Sequence, residues 1–503
     1  MKRISFKHIM ILVLAGYTFG GCNKSFLDVD PKGLSLESNY YSNPSEAMAA
    51  VIAAYDPLGM EAAGTYANKL GPLNAASDDC YAGGGSNSDM NTWQAWNNYS
   101  LDPAIGPQME FWTRNFTGVS RANVVLAKIP GVPGLSDALK TRYIAEAKFL
   151  RAYYYFDLLR LFKNIPLFTA PLATEQIYSQ KQADPAKVYE QIEADLKDAI
   201  NGLPNTVPAA SEGGRATAGA AKALLGKVII YQNNTGRMLE AANLLEDVNK
   251  VGNVYGYSLQ PHFADIFSPD NKFNSESIFE IVHTSVANSS WGGWPNFEGN
   301  VFTQMIGARG YSGPTYQSGW GFDVITLDLV NVMKNDPRYP ATIVNMDSLQ
   351  TAGVCSYSPS YQNTGYFIQK FAPLTKWRST GGGNAELNYP NDVIEIRLAD
   401  TYLLEAEALV RGNGDLTKAA YYLNAVRGRV GLTGVAATLD NIYNERRLEL
   451  ATEGHRWFDL VRTGKAATVL ASKGFKPNKH ELLPIPLAEL TNTQLVQNPG
   501  YVQ

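Results

Sequence analysis

The sequence predicts a mainly α-helical protein in which helical hairpins repeat about four times, with long irregular insertions that carry a few short strands. Over much of the chain, apolar residues recur at alternating spacings of three and four, which lines one face of a helix. These helices come in pairs separated by breaks bearing Gly or Pro. Two intervening stretches, 56–107 and 251–393, are rich in Gly, Asn, Ser, Pro and aromatics and lack sustained helical spacing.

The first pair joins 45–55 to 108–129 and is widely interrupted by the insertion at 56–107. The second spans 141–200. Its opening helix, 141–162, has two apolar faces, Ala145-Phe149-Ala152-Phe156-Leu159 and Leu150-Tyr154-Leu158-Leu161, so it packs on both sides. Its partner, 185–200, starts with Asp184 as cap and Pro185 at the first helical position. The third pair, 215–250, carries Ala218, Ala221, Leu225 and Val228, a break at Gly236, then Met238, Ala241, Leu245 and Val248. In the fourth, 394–430, Ile396, Ala399, Leu403, Ala406 and Val410 precede Gly412-Asn413-Gly414. Asp415 then caps a second helix bearing Leu416, Ala419, Leu423, Val426 and Val430. Small residues at the stripe centres allow close helix approach, as in tetratricopeptide-like repeats of about 34 residues. Long loops inside a compact domain usually carry function, so the two insertions form the expected ligand side of one unit covering 22–503.

Residues 1–21 read as a secretory signal. Lys2, Arg3 and Lys7 precede the apolar run Ile9–Ala15, and Gly20-Gly21 stand before Cys22. The run is shorter than the roughly 20 residues that span a bilayer. Cys22 directly after small residues has the arrangement of a bacterial lipoprotein signal, in which this cysteine becomes the lipidated N-terminus; a plain signal peptide with an incidental cysteine is the alternative. Loss of the three basic residues moves the formal charge from −4 to −7. Nucleic-acid binding needs basic patches that displace counterions, and that balance argues against it. Cys80 and Cys355 read as buried singletons, with pairing in an oxidising compartment as the alternative.

Signatures of nucleophilic, metal-dependent and nucleotide chemistry are absent. His480-Glu481-Leu482-Leu483-Pro484 fails the HExxH pattern, and there is no GxSxG elbow or phosphate loop. No metal or cofactor is expected. A glycosidase needs only two carboxylates about 5–9.5 Å apart across a sugar. Asp78-Asp79 is the most suggestive pair, yet neighbours in an extended loop point to opposite sides. Glu405 and Glu407 fall inside the fourth repeat, on a solvated edge or in a packing contact.

The insertions offer a better candidate. Residues 78–99 gather Asp78, Asp79, Trp93, Trp96 and Asn97 around Gly83-Gly84-Gly85; residues 291–322 gather Trp291, Trp294, Tyr316 and Trp320 among glycines. Five of the eight tryptophans lie in these windows, so aromatic platforms are concentrated there. A glycan has apolar C–H faces and a rim of hydroxyls, which flat aromatics flanked by Asn and Asp match. Each such contact contributes about 0.5–1.5 kcal/mol beyond its area. Core packing of a long loop is the competing explanation for each ring. Trp112, Trp377 and Trp457 adjoin charged or helical positions and are assigned to structure.

Several segments, in order along almost the whole mature chain, resemble the SusD/RagB outer-membrane lipoproteins. They are Cys22-Asn23-Lys24-Ser25-Phe26-Leu27-Asp28, residues 145–156, residues 397–408 and the charged run Glu445-Arg446-Arg447-Leu448-Glu449 through Glu453-Gly454-His455-Arg456-Trp457-Phe458-Asp459. Pro484-Ile485-Pro486 and Asn498-Pro499-Gly500-Tyr501 complete the tail. The resemblance implies a four-repeat tetratricopeptide scaffold, and a lipid-anchored protein at the cell surface of the outer membrane. It also implies a non-catalytic role: capturing a glycan and closing over a TonB-dependent, SusC-like transporter. Trp96, Trp294 and Trp320 are the positions matched to the sugar-binding aromatics of the starch-binding member, while 445–462 is a fold marker in which His455 is structural. Two other readings stay open: a lid that gates the transporter with little affinity of its own, and a secreted glycosidase.

Overall fold

The computed structural model of the protein describes residues 41–59, 68–291 and 298–502. The signal segment, Cys22 and Trp294 lie outside them. The described chain opens with helix α1 (Pro44–Gly59) and passes through the short helices α2 (Leu70–Ala76) and α3 (Asn91–Asn97), with strand β1 (Cys80–Gly83) between them. It then enters α4 (Gln108–Lys128), α5 (Asp137–Phe162) and α6 (Pro185–Gly202), and after these α7 (Ala218–Tyr231) and α8 (Met238–Asn249). Five short strands punctuate the second insertion: β2 (Ser277–Ile281), β3 (Phe322–Ile325), β4 (Ile343–Asn345), β5 (Tyr366–Ile368) and, at its end, β6 (Val393–Arg397). Helices α9 (Leu398–Arg411), α10 (Leu416–Arg429), α11 (Leu439–Glu449) and α12 (Arg456–Arg462) close the main body.

Each repeat helix packs on the next, α1 on α4, α4 on α5, then through α6, α7, α8 and α9 to α10, giving a continuous tetratricopeptide-like array. Local chemistry sets the starts. Ser136 Oγ accepts from Leu139 N, Asp184 from Ala186 N, Thr217 from Ala220 N, and Asp415 from both Thr417 N and Lys418 N. Helix α5 buries both apolar faces, including Phe149, Leu150, Tyr154 and Leu158, as its double stripe requires. The strands pair antiparallel as β1–β3, β2–β6 and β4–β5, and they stitch the insertions to one another and to the repeats.

One boundary differs from the periodicity. Ile396 does not begin a helical stripe; it lies in β6, where Phe279 pairs with Ile396 and Glu280 with Ile394. In Ile394-Glu395-Ile396-Arg397 the β-branched residues alternate with charged ones, a period of two, and the 3-4 spacing to Ala399 and Leu403 is coincidental. Glu405 and Glu407 are not on a solvated edge either, since both are fully buried. Glu407 accepts two bonds from the Arg462 guanidinium at 2.6 and 2.8 Å, and Glu405 accepts from Asn249 at 2.8 Å. Cys80 and Cys355 are unpaired, the first buried and the second half-buried.

The charged run near the C-terminus ties the layers together. Glu449, at the end of α11, is fully buried and ion-paired to Arg338 (2.7 Å), Arg397 (2.6 Å) and Arg429. Burial alone would raise its carboxyl, but the three guanidiniums hold it well below the usual carboxylate range. Glu445 shares Arg338 at 2.7 Å, and Glu453 takes Arg397 at 2.7 Å and Lys370 at 2.6 Å. Arg446 and Arg462 reach back to Asp400 and Glu407 of α9. His455 stays neutral because burial lowers its value to about 3.

Two measurements test this account. Removing one partner of a buried ion pair costs about 3–5 kcal/mol, because the remaining charge is left uncompensated. Glu449→Ala removes the buried partner that three arginines share, so urea unfolding is expected to show a loss of at least about 3 kcal/mol, and a loss below about 1 kcal/mol would refute a structural role. The second concerns Glu280, buried beside Asp392. Phe273 N donates to it at 3.0 Å, while Asp392 Oδ1 accepts from Lys272 Nζ and His283 N, each at 2.7 Å. The other Asp392 oxygen is buried without a hydrogen-bond partner, which a protonated Glu280 would supply. Burial first, then Asp392, pushes Glu280 from 4.5 up to about 8. A raised carboxyl stabilises the fold below its unfolded value and loses that contribution as pH rises through the folded one. Glu280→Gln is therefore expected to flatten the fall in melting temperature between about pH 5 and 8; a profile parallel to wild type would contradict it.

Candidate functional site

The structure separates the expected aromatic and acidic residues into seated and displayed groups. Trp93 and Trp96 are fully buried, so neither forms a surface platform. Trp93 lies against Gly71, where a Cβ would come within 1.9 Å of its ring, and stands edge-on to Phe322 at 5.5 Å. Trp96 packs edge-on against Phe111 at 6.0 Å and Trp457 at 5.1 Å. Asn97 is buried and donates to Asn98 Oδ1 at 2.8 Å. These residues pack α3 into the core because an indole buries more apolar area than any other side chain.

The acidic pair is also structural. Asp78 accepts both arms of Arg456, from Nε at 2.7 Å and from Nη2 at 2.8 Å. Arg447 Nη2 bridges Asp78 and Asp79 at 2.9 and 2.8 Å. The two neighbouring carboxylates therefore converge on one guanidinium, contrary to the expectation that they diverge. Burial would raise Asp78, but the Arg456 hydrogen bonds and the charges of Arg456 and Arg447 hold it below its ordinary value. Tyr316 belongs to a small core within the second insertion, with Tyr311, Val324, Met346 and Phe367. Its hydroxyl donates to Gln369 Oε1 at 2.8 Å, and burial pushes that hydroxyl up to about 12.

Trp291 and Trp320 remain at the surface together. Their rings stack with centroids 6.1 Å apart and planes 27° from parallel. Trp320 is half-buried on a firm floor. Its backbone N–H donates to Gln304 O at 3.1 Å, the Gln304 amide donates to Ser318 O at 2.9 Å, and Gly321 N reaches Gly307 O at 2.8 Å. Trp291 is 39% exposed. Its indole N–H donates to Glu386 Oε1 at 2.7 Å and its backbone N–H to Asn384 Oδ1 at 3.2 Å. Sequence reasoning missed Glu386 and Asn384, which lie some ninety residues from Trp291 in a stretch with no motif. Trp377, assigned to structure, is half-buried at the surface, where Lys376 covers its ring at 4.1 Å and Asp270 accepts its N–H at 3.2 Å.

An apolar pair of indoles at the surface can hold the C–H face of a pyranose ring. Among the described residues no group of three or more His, Cys, Asp or Glu could hold a metal ion, and no helix is long and apolar enough to cross a membrane.

Fold and site together define a helical-repeat protein with an aromatic patch displayed on its insertions. Residues 275–501 match the SusD family, and residues 25–230 match a family described as starch-binding associating with outer membrane. A solved laminarin-binding SusD-like protein is similar with a TM-score of 0.87 and 45% identity, covering 92% of this chain and 100% of that one. Surface glycan-binding protein A from Bacteroides thetaiotaomicron, in complex with laminarihexaose, has a TM-score of 0.82 and 30% identity, covering 91% and 99%. SusD-like protein P25 of Formosa agariphila is 26% identical over 98% of this chain and 99% of its own. The chain belongs to the SusD family.

The sorting of tryptophans has a direct test. Trp96→Ala is expected to cost about 3–5 kcal/mol in urea unfolding, while Trp291→Ala stays within about 1 kcal/mol of wild type. Equal losses would contradict the division.

Proposed function

We propose that this chain is a surface lipoprotein, lipidated at Cys22, that captures a neutral glycan of the laminarin class and passes it to a TonB-dependent SusC-like transporter without cleaving it. The stacked pair of Trp291 and Trp320 carries the reading, because it displays two indoles together at the surface, with Glu386 and Asn384 holding Trp291 in place. The names of the two solved relatives support laminarin as the ligand class. The basic and apolar leader before Cys22 supports the anchor. The SusD/RagB resemblance supports the outer-membrane site and the transporter partner. A non-catalytic role agrees with carboxylates committed elsewhere: Asp78 and Asp79 to arginines, Glu407 to Arg462 and Glu386 to an indole.

Calorimetric titration of a soluble form beginning after Cys22 with laminarihexaose, maltohexaose and an anionic polysaccharide tests this. Saturable heat is expected with laminarihexaose, with no new reducing ends. Trp291→Ala and Trp320→Ala are each expected to weaken binding about tenfold, equivalent to 1.4 kcal/mol. Unchanged affinity in both variants would remove the site, release of reducing ends would restore the glycosidase reading, and silence with every glycan would leave the lid.

A further inference from the structure

We propose that Glu386 is the positioning residue of this platform, holding the Trp291 indole in the orientation that stacks on Trp320; this rests on the reading of the pair as the glycan site. A half-exposed indole on an irregular loop has rotamer freedom that binding must remove. Trp320 gains its order from the floor beneath it, but Trp291 comes directly after the irregular stretch 282–290. A second loop, 379–388, supplies the order.

Side chains of the second loop bond the backbone of the first, with one backbone–backbone bond between them. Ser379 Oγ donates to Ser285 O at 3.1 Å, Asn388 Oδ1 accepts from Ser289 N at 2.9 Å, and Asn388 Nδ2 and Asn384 N both donate to Ser289 O at 2.9 Å. Gly383 permits this approach. Its φ is +78°, and a Cβ there would come within 2.4 Å of the Ser289 carbonyl oxygen. Glu386 sits in the single turn Ala385–Leu387, which is pinned by the fully buried Leu387. An indole has one N–H and no acceptor, so one well-placed acceptor fixes the direction of its polar edge. The Glu386 carboxylate takes that hydrogen at 2.7 Å, a charge-assisted bond, and Asn384 Nδ2 approaches the same oxygen at 3.4 Å. Order thus passes from Leu387 through Glu386 to the ring that would meet the sugar.

The test uses the mature chain labelled with 5-fluorotryptophan, with the Trp291 resonance assigned by its loss in Trp291→Ala. Without ligand, Glu386→Ala is expected to shift and broaden that resonance, whereas Glu386→Gln, which keeps an oxygen acceptor, leaves it near wild type. Laminarihexaose affinity is expected to fall about fivefold in Glu386→Ala and to stay within about twofold in Glu386→Gln. In a Trp291→Ala background, Glu386→Ala is expected to add nothing. An unmoved resonance in Glu386→Ala overturns the proposal whether or not the glycan binds. So does an additive double variant, or a Glu386→Gln protein as weak as Glu386→Ala. A moved resonance with full affinity in Trp291→Ala and Trp320→Ala would retain the positioning contact and reject the platform as the glycan site.

Discussion

The buried carboxylate of Glu449 draws together arginines from three places: Arg338 of the second insertion, Arg397 at the end of β6 and Arg429 at the end of α10. A buried ion is tolerated only when close partners replace its lost hydration. Each of these arginines is therefore bound in turn by Asp336, Glu445, Glu453 or Glu276. The network cannot form unless the repeats and the insertion reach their native relation together. Helix packing builds the array, and this cluster fixes how the second insertion sits on it.

The same logic explains why Asp78, Asp79, Trp93 and Trp96 of the first insertion are withdrawn from the surface. Asp78 and Asp79 are clamped by Arg447 and Arg456, from the same charged run that holds the second insertion through Glu449 and Glu453. Trp93 and Trp96 fill the space beneath. Residues whose types suit sugar binding act here as fasteners, because an indole or a carboxylate is equally suited to burial against a matching partner.

The displayed pair of Trp291 and Trp320 is divided in character. Trp320 rides on backbone hydrogen bonds from a short helix and the approach to β3, whereas Trp291 is held by side chains of another loop. Substitutions within 285–291 or 379–388 would alter the platform without touching the ion network. A rigid base with an independently adjustable rim can present different surfaces on one scaffold.

The repeat architecture was legible in the sequence alone, because helical periodicity and capping are local properties. The 3-4 stripes, Asp184-Pro185 and Asp415 fix helices whatever they later touch, except at Ile396, which pairing with Phe279 draws into a strand. The family resemblance also marked 445–462 as a fold marker, without showing what its charges hold. Which aromatics face solvent was settled by tertiary packing. Trp96 and Trp291 occupy similar Gly- and Asn-rich surroundings in sequence, yet one is buried and the other 39% exposed. The difference arises from contacts hundreds of residues away, Trp457 against Trp96, and some ninety residues away, Glu386 against Trp291. Burial is a property of the assembled chain, so no local pattern could report it.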